Sequence, residues 1–435
     1  MTSTTTRTNF ATAFRPMLSR VALMACLAIL GSATAKAEDK PDNGVPEESI
    51  AQELPYDAAR ASLSAAGIKY GVNYTAEYFN VASGGISRGS TYNGLVEGYV
   101  DLDLDKLFGW KGAAIHANAF YVHGIGPTTK TGSLFAVSNL EGLESLRLDE
   151  LWIEQSLLED KLKFKFGSIA ADTEFFISDT AAVFLNGTFG WAGILAADMV
   201  QGGPAYPLTS MGGRVAFAPN DNLTILAGIF NGSPANPYAD DPQESNRHGV
   251  DFRFNDGILM IVEGAFKYDV GLPGTIKVGG WRQFDAPDGI YFNFKTKEPL
   301  SQDSGIYAIV DQQIWKHGDD QSVSVFGRVS GSPEDHSLMD MYFDTGILFS
   351  GFVPGRSKDT FGAAFGYGQI SPDVLRYDPD AGFSRTYESV LELLYTAEIK
   401  PGITLQPDFQ YFWNPGAVAE VDHAAVFGAR AKVSY

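Results

Sequence analysis

Strict alternation of apolar and polar residues is the feature that most constrains how this chain can fold. Between positions 403 and 411 the odd-numbered residues are Ile, Leu, Pro, Phe and Tyr, and the even-numbered ones are Thr, Gln, Asp and Gln. Because successive side chains of a β-strand point to opposite faces, such a segment has one apolar and one polar face. The same period of two recurs at 96–105, 162–166 and 386–398. The chain is therefore predicted to be all-β, with two-faced strands.

An apolar strand face can meet either a protein core or lipid, and a soluble sandwich also alternates, so periodicity alone leaves both folds open. Charged residues make up 19% of the chain, below the roughly 25% that is usual for soluble domains. Within hydrocarbon, only helices and closed barrels pair all their backbone groups. The one uncharged run long enough for a spanning helix, 180–197, is interrupted by Asn186 and by three glycines, so we predict a folded loop there.

The connections between the strands favour the barrel. Turn signals separate sixteen predicted strands, near 70–80, 92–105, 112–123, 145–157, 161–169, 210–217, 222–230, 257–269, 274–284, 304–315, 320–330, 338–349, 359–369, 386–398, 403–413 and 423–435. Short turns such as 158–160 alternate with longer segments such as 124–144 and 170–209. This arrangement is typical of outer-membrane barrels. We therefore expect a transmembrane antiparallel up-and-down β-barrel of sixteen strands over residues 70–435.

The N-terminus has the three parts of a secretory signal peptide. Basic residues up to Arg20 precede an apolar core, and small residues end at Ala37, after which we expect cleavage, so residues 1–37 form the predicted signal peptide. Cys26 lies in the apolar core, and lipidation of this cysteine is the alternative, although the apolar run before it is short. Residues 38–69 are expected to form a periplasmic segment with a short helix from Asp57 to Ala66. Export to the outer membrane of a Gram-negative bacterium follows from the signal peptide and the barrel together.

Charge and motif content exclude several classes of partner and reaction. Removal of residues 1–37 leaves 28 basic residues against 52 acidic ones, which argues against nucleic acid as a partner. No cysteine remains after cleavage, and the six histidines are scattered without metal-ligand spacing. No phosphate-binding loop or nucleophile elbow occurs. We therefore expect no cofactor, no metal and no catalytic residues.

The last predicted strand adds an independent signal. Phe427, Ala429, Ala431, Val433 and the terminal Tyr435 alternate with more polar or smaller residues. A C-terminal aromatic that closes such a strand resembles the recognition signal of the barrel-assembly machinery. We therefore expect that machinery to be a partner of the chain.

The chain resembles the carbohydrate-selective porins of the OprB type over nearly the whole predicted mature sequence. The resemblance lies in the order of short motifs that are not diagnostic singly: Leu102-Asp103-Leu104-Asp105 with Gly109-Trp110, Trp152-Ile153-Glu154-Gln155, Phe184-Leu185-Asn186, Gly271-Leu272-Pro273-Gly274, Asp311-Gln312, Pro354-Gly355-Arg356 and Pro407-Asp408-Phe409-Gln410-Tyr411. It implies a sixteen-stranded barrel in outer-membrane lipid, a pore narrowed by an inward-folded loop, and passive diffusion of small carbohydrates such as glucose. The terminal Tyr435 departs from the more usual phenylalanine. A homotrimer stays open beside a monomer.

A selective pore needs a constriction, and the long segment 170–209 is its predicted source. Its apolar part would pack inside the barrel, while acidic side chains face the channel and set the solute preference. These candidates are Asp172, Glu174, Asp179 and Asp198. The alternative is an extracellular loop whose acids are solvated. Trp191 is the aromatic residue on this segment that we expect to stack on a sugar, whereas most aromatic residues should belong to the interfacial girdles.

Cations that face these acids are the second requirement, because neighbouring donors and acceptors replace the hydration of sugar hydroxyls. Arg147, Arg214 and Arg328 lie at or near predicted strands in apolar surroundings, and alternation turns Arg328 towards the lumen. For each arginine, a salt bridge within the wall is the alternative. Glu154 and Asp311 complete the set of candidates. Each stands beside a glutamine, and alternation does not decide which member of the pair points inward.

Two other functions remain as alternatives. One is a secreted β-rich protein that binds carbohydrate, and the other is a hydrolase embedded in a barrel. Paired acids are plentiful in the sequence, but two carboxylates indicate a glycosidase only when they flank a cleft.

Overall fold

The computed structural model describes residues 49–53 and 57–435. The predicted signal peptide, its cleavage after Ala37 and the alternative lipidation of Cys26 lie outside the described residues. Everything that follows concerns the described part of the chain.

Sixteen strands form one closed antiparallel barrel in which each strand pairs with its neighbours in sequence, and the first strand pairs with the last. The strands are β1 Ile68–Gly85, β2 Gly89–Asp103, β3 Ala113–Gly124, β4 Ser145–Leu157, β5 Leu162–Ile169, β6 Ser210–Asn220, β7 Leu223–Asn231, β8 Ile258–Asp269, β9 Pro273–Phe284, β10 Asp303–His317, β11 Gln321–Gly331, β12 Met339–Ser350, β13 Thr360–Ile370, β14 Tyr387–Lys400, β15 Ile403–Trp413 and β16 Asp422–Ser434. The predicted count and the up-and-down topology are confirmed.

The prediction was wrong about where β2 ends. The expected strand reached residue 105, but Leu104–Phe108 form a short helix instead. The side chain of Asp103 accepts hydrogen bonds from the backbone N–H groups of Asp105 and Lys106, which caps this helix, and Gly109 ends it in the left-handed conformation. The local capping signals therefore outweigh the alternation in the last two residues.

The two faces of the strands are those that the alternation predicts. On β15, the outward Leu405 is 40% exposed, whereas the inward Gln410 is fully buried. The outward rings of Phe409 and Phe427 pack together across β15 and β16, with their centroids 4.8 Å apart. Hence the apolar face of the barrel is its outer surface, and the polar face lines the lumen.

The ends of the described chain meet at one rim. A helix, Ala58–Ala65, precedes β1, and the side chain of Asp57 caps it. Arg60 of this helix donates to the carbonyl of Tyr70 at 2.8 Å, and its guanidinium lies 5.1 Å from the ring centroid of Tyr435. Tyr435 in turn exchanges two backbone hydrogen bonds with Val72. Within residues 49–53 and 57–435, no helix has the length and apolar character needed to cross a membrane.

The remaining elements are short and lie in the connections. The α-helices are Thr128–Thr131, Gly193–Asp198, Pro242–Ser245 and Pro372–Tyr377, the 3-10 turns are Ile50–Glu53, Ala171–Thr173, Ala181–Val183, Gly187–Phe189, Val200–Gly202, Pro379–Ala381 and Pro415–Ala417, and a small ribbon pairs Tyr291–Phe292 with Pro299–Leu300. The main apolar core is formed by the segment 170–209 packed against inward side chains of the wall. The barrel therefore has its hydrophobic core inside its own lumen.

Candidate constriction of the lumen

The segment 170–209 folds into the barrel, as the resemblance implied. Its uncharged run, 180–197, forms two 3-10 turns and the helix Gly193–Asp198, and is not one continuous helix. Phe184 and Phe189 pack against the inward ring of Phe326, with centroids 6.0 and 6.3 Å from it. This segment, which we call the constriction loop, therefore occupies part of the lumen.

Two buried glutamates on the inner face of β14 hold the inward-folded loops by their backbones. Glu392 accepts hydrogen bonds from the N–H groups of Leu185 at 2.6 Å and Asn186 at 2.9 Å. Glu388 accepts two at 2.8 Å, from Leu134 and Phe135 of the preceding loop. Neither glutamate was among the candidates, although both lie on the predicted polar face. The alternation shows which way these acids point, but it does not show that a loop covers them.

Further anchors lie on β8, β9 and β10. Glu263 accepts from the N–H of Phe176 at 3.0 Å, and Lys277 donates to the carbonyl of Ile177 at 2.7 Å. Asp311 points inward, where one carboxylate oxygen accepts from the Ser178 hydroxyl at 2.6 Å and from the N–H of Thr180 at 3.2 Å. Asp311 thus helps to hold the constriction loop against the wall. Of the adjacent residues Asp311 and Gln312, Asp311 is the one that points inward.

Arg328 faces inward as predicted, but it does not reach water. Its side chain and that of Asp344 are both fully buried and form an ion pair. The guanidinium also donates to the carbonyls of Thr188 at 2.8 Å and Gly190 at 2.9 Å. The expectation that Arg328 lines the constriction of the channel was wrong, because the constriction loop covers its side chain. Asp344, its partner, was not predicted.

Three of the predicted residues meet in a network of paired charges. Arg214 on β6 donates through Nε to Glu174 and through a terminal nitrogen to Glu154, each at 2.8 Å. Lys165 contacts the other side of Glu174, and Lys163 lies 3.9 Å from Glu154. We call these five residues the charged strip. It joins the wall strands β4, β5 and β6 to the start of the constriction loop.

The residues of the charged strip form ion pairs with one another, and two of their side chains remain partly exposed. The side chains of Lys163 and Glu154 are 38% and 17% exposed, whereas those of Glu174 and Lys165 are nearly buried. Burial by itself would raise the pKa of Glu174, but the charges of Lys165 and Arg214 outweigh it and lower this pKa below its ordinary value. Glu174 therefore stays ionised, and its carboxylate holds both cations in place.

Two predicted acids of the constriction loop are buried and do not face the channel. Asp172 accepts from the N–H of Tyr206 at 3.0 Å, and Asp198 accepts from the N–H of Met339 at 3.0 Å. Burial and the nearby charge of Asp303 raise the pKa of Asp198 well above its ordinary value. For both acids the expected channel-facing position was wrong, because Asp172 holds the fold of the loop itself and Asp198 fastens the loop to β12. Asp179, by contrast, is exposed.

The predictions for Trp191 and Arg147 were also wrong, because both side chains are buried. Trp191 is 1% exposed and donates its indole N–H to the carbonyl of Gly202 at 3.0 Å, so its ring faces are packed inside the loop and cannot stack on a solute. Arg147 is 1% exposed and donates to the carbonyl of Asn246 at 3.0 Å. Both side chains stabilise loop packing.

Comparisons with known proteins find similar sequences and structures among porins. Residues 87–435 match the family described as carbohydrate-selective porin, OprB family. Porin B of Pseudomonas aeruginosa is 23% identical over 418 residues, which cover 85% of this chain and 88% of that protein. The putative porin QuiX of Acinetobacter baylyi is 23% identical over 405 residues and covers 84% and 90%. The high-pH structure of Pseudomonas putida OprB has a TM-score of 0.75 at 22% identity and covers 87% of this chain and 96% of that one.

The family match and the closed barrel together favour a channel over an enzyme, and they do not favour the secreted carbohydrate-binding alternative. The match extends over most of the barrel, from the turn between β1 and β2 to the last residue. The chain belongs to the OprB family of carbohydrate-selective porins, which are channels of the Gram-negative outer membrane.

Proposed function

We propose that small carbohydrates such as glucose diffuse through the water-filled lumen and are selected where they pass the charged strip. The observation that carries this proposal is the set of alternating cations and carboxylates, Lys163, Glu154, Arg214, Glu174 and Lys165, on the open side of an inward-folded loop. A sugar hydroxyl both donates and accepts hydrogen bonds, so adjacent acceptors and donors can replace its hydration shell. Because the cations are paired with acids, the strip presents polar atoms without a large field that would favour ions over neutral solutes.

Glu154 and Lys163 are the residues of the strip that we assign to solute contact, since their side chains are its most exposed members. Arg214, Glu174 and Lys165 then act as positioning residues, because their side chains are nearly buried and form ion pairs with one another. Asp179, exposed on the constriction loop, is a further candidate for solute contact.

Recordings from the purified protein in planar lipid bilayers, together with liposome swelling, test this function. We expect steady water-filled channels and faster swelling with glucose than with a neutral trisaccharide. Glu154→Gln and Lys163→Gln should slow glucose entry several-fold at nearly unchanged ion conductance. Lys316→Gln, an exposed change on β10, is the matched control and should leave both unchanged. Folded protein without channels, or channels equally permeable to both sugars, would contradict the proposal.

We further propose that residues 1–37 are a signal peptide, that the residues from 38 up to the start of β1 form a periplasmic segment, and that the last strand together with the Tyr435 that follows it is read by the barrel-assembly machinery. The apolar core before Ala37, the outward Phe427 of β16 and the exposed Tyr435 support this. The intact mass of protein extracted from outer membranes should correspond to a chain beginning at Glu38. Tyr435→Ala should lower the amount of heat-modifiable barrel in the membrane. A mass that includes residues 1–37 would contradict the cleavage.

A further inference from the structure

A second feature of the lumen lies on β2, towards the rim where the chain ends meet. Tyr99 points inward and pairs in register with Gly71 of β1. A Cβ atom placed on Gly71 would lie 2.5 Å from three atoms of the Tyr99 side chain, the ring atoms Cε1 and Cζ and the hydroxyl oxygen Oη. The ring therefore lies against the backbone of β1, in space that only a glycine leaves open. Tyr99 is half-buried, so the part of its inward ring that the wall does not cover is open to the lumen.

Two carboxylates flank this ring on the same face of the strand. Glu97 and Asp101 stand two residues before and after Tyr99, and so project beside it. Glu97 accepts from the amide nitrogen of Asn73 at 2.8 Å, and Asp101 lies 2.6 Å from Nδ1 of His116. Each carboxylate is thus held in place by a neighbouring strand while its remaining lone pairs can accept further hydrogen bonds.

A row of rings connects this place with the charged strip. The rings of Tyr99 and His116 are 6.5 Å apart with their planes 20° from parallel, and those of His116 and Trp152 are 5.0 Å apart, also at 20°. Lys165 of the charged strip lies 3.9 Å from the ring centroid of Trp152. A solute that leaves the charged strip along this wall passes Trp152 and His116 and then meets the ring of Tyr99.

We infer that Tyr99, Glu97 and Asp101 form a second carbohydrate subsite, on the way out of the charged strip. The apolar face of a pyranose would stack on the free face of the tyrosine ring, while sugar hydroxyls donate to the two flanking carboxylates. Gly71 is part of the subsite, because its missing side chain allows the ring to lie flat. This inference rests on the proposed passage of sugars through the lumen. It adds a place where a sugar binds during that passage.

Block of the ion current by glucose, added separately to each side of a planar bilayer, tests the subsite. Tyr99→Leu removes the ring, and Gly71→Ala displaces it. Either change should raise the half-blocking glucose concentration roughly fivefold, with the larger effect for sugar added from the rim that carries Tyr435. Tyr99→Phe keeps the stacking face and should stay within about twofold of the wild type.

Gly98→Ala is the matched control, since a Cβ at this outward position on β2 meets nothing within 4 Å. It should fold and respond to glucose as the wild type does. If glucose blocks the wild type and Tyr99→Leu to the same extent, Tyr99 only fills the space beside Gly71, and the inference is wrong. If glucose does not block the wild-type channel although liposomes containing it swell with glucose, the subsite is absent and the proposed function stands; if those liposomes do not swell with glucose, the proposed function itself fails. The two failures are therefore distinguishable.

Discussion

Arg328 and Asp344 form an ion pair inside the barrel in which neither side chain is exposed to solvent. Three further hydrogen bonds from Arg328 reach carbonyl groups of the constriction loop, those of Phe176, Thr188 and Gly190. The pair thus joins the wall to the loop. A single substitution here should change the pore by moving the loop, although neither side chain of the pair lines the channel.

Removal of one partner of this pair should destabilise the protein. Arg328→Ala leaves Asp344 buried without its counter-charge, which costs about 3–5 kcal/mol in comparable sites. We expect a lower midpoint of thermal unfolding in detergent and irregular single-channel currents, because the loop loses three hydrogen bonds to the wall. Ion preference measured as reversal potential should change little, since the guanidinium does not face the channel. A stable variant with steady currents and a shifted reversal potential would show that Arg328 does line the narrowest part of the channel.

Loosening of the loop at Glu392 should widen the pore. Glu392→Ala removes the acceptor for the N–H groups of Leu185 and Asn186, so we expect a larger mean conductance and frequent fluctuations between levels. Glu398→Gln is the control, because Glu398 lies on the same strand and pairs with the exposed Lys358. Equal conductance in the wild type and Glu392→Ala would show that the other anchors hold the loop without it.

The loop that contains Glu141 should become more stable on acidification. Burial raises the pKa of Glu141 to about 7, although Thr128 and Ser138 donate hydrogen bonds to its carboxylate. Because this pKa is raised above that of the unfolded chain, the folded state takes up a proton more readily. The stabilisation is present at acid pH and is lost as pH rises through about 7.

Limited proteolysis of this loop at pH 5.5 and pH 8.5 measures the effect. The wild type should be cut more slowly at the lower pH, after correction for the protease's own pH dependence. Glu141→Gln keeps the shape of the side chain and should abolish the difference. A pH effect of the same size in Glu141→Gln would assign it to another group.

A charge on the outer surface should interfere with membrane assembly. Leu405→Asp places a carboxylate on the lipid face of β15, at a cost of up to about 2–3 kcal/mol. We expect less heat-modifiable barrel in membranes and slower folding into lipid vesicles. Gln406→Asp, one residue further along the strand on the lumen face, should assemble normally. Equal assembly of both variants would overturn the assignment of the two faces.

The sequence was most informative where one rule governs a whole strand. A period of two fixes which residues of β15 face lipid, and turn signals between such segments predict the strand count. It was least informative inside the lumen. The prediction that Arg328 points inward from its strand is correct, but its burial depends on a contact with Gly190, 138 positions away. The burial of Trp191 depends on how the constriction loop folds on itself around Gly202, which alternation does not show. Glu388 and Glu392 were missed for the same reason, since an inward acid that faces water and one that binds a loop have the same local pattern.

Glu388 and Glu392 recognise main-chain N–H groups, which every residue except proline supplies at the same place. These two anchors therefore set no requirement on which side chain stands at the anchored position, so the position of the loop does not depend on the chemistry of its exposed side chains. Such a scaffold allows the loop side chains beside the channel to diverge freely, so that relatives with the same barrel and the same anchors can come to admit different solutes.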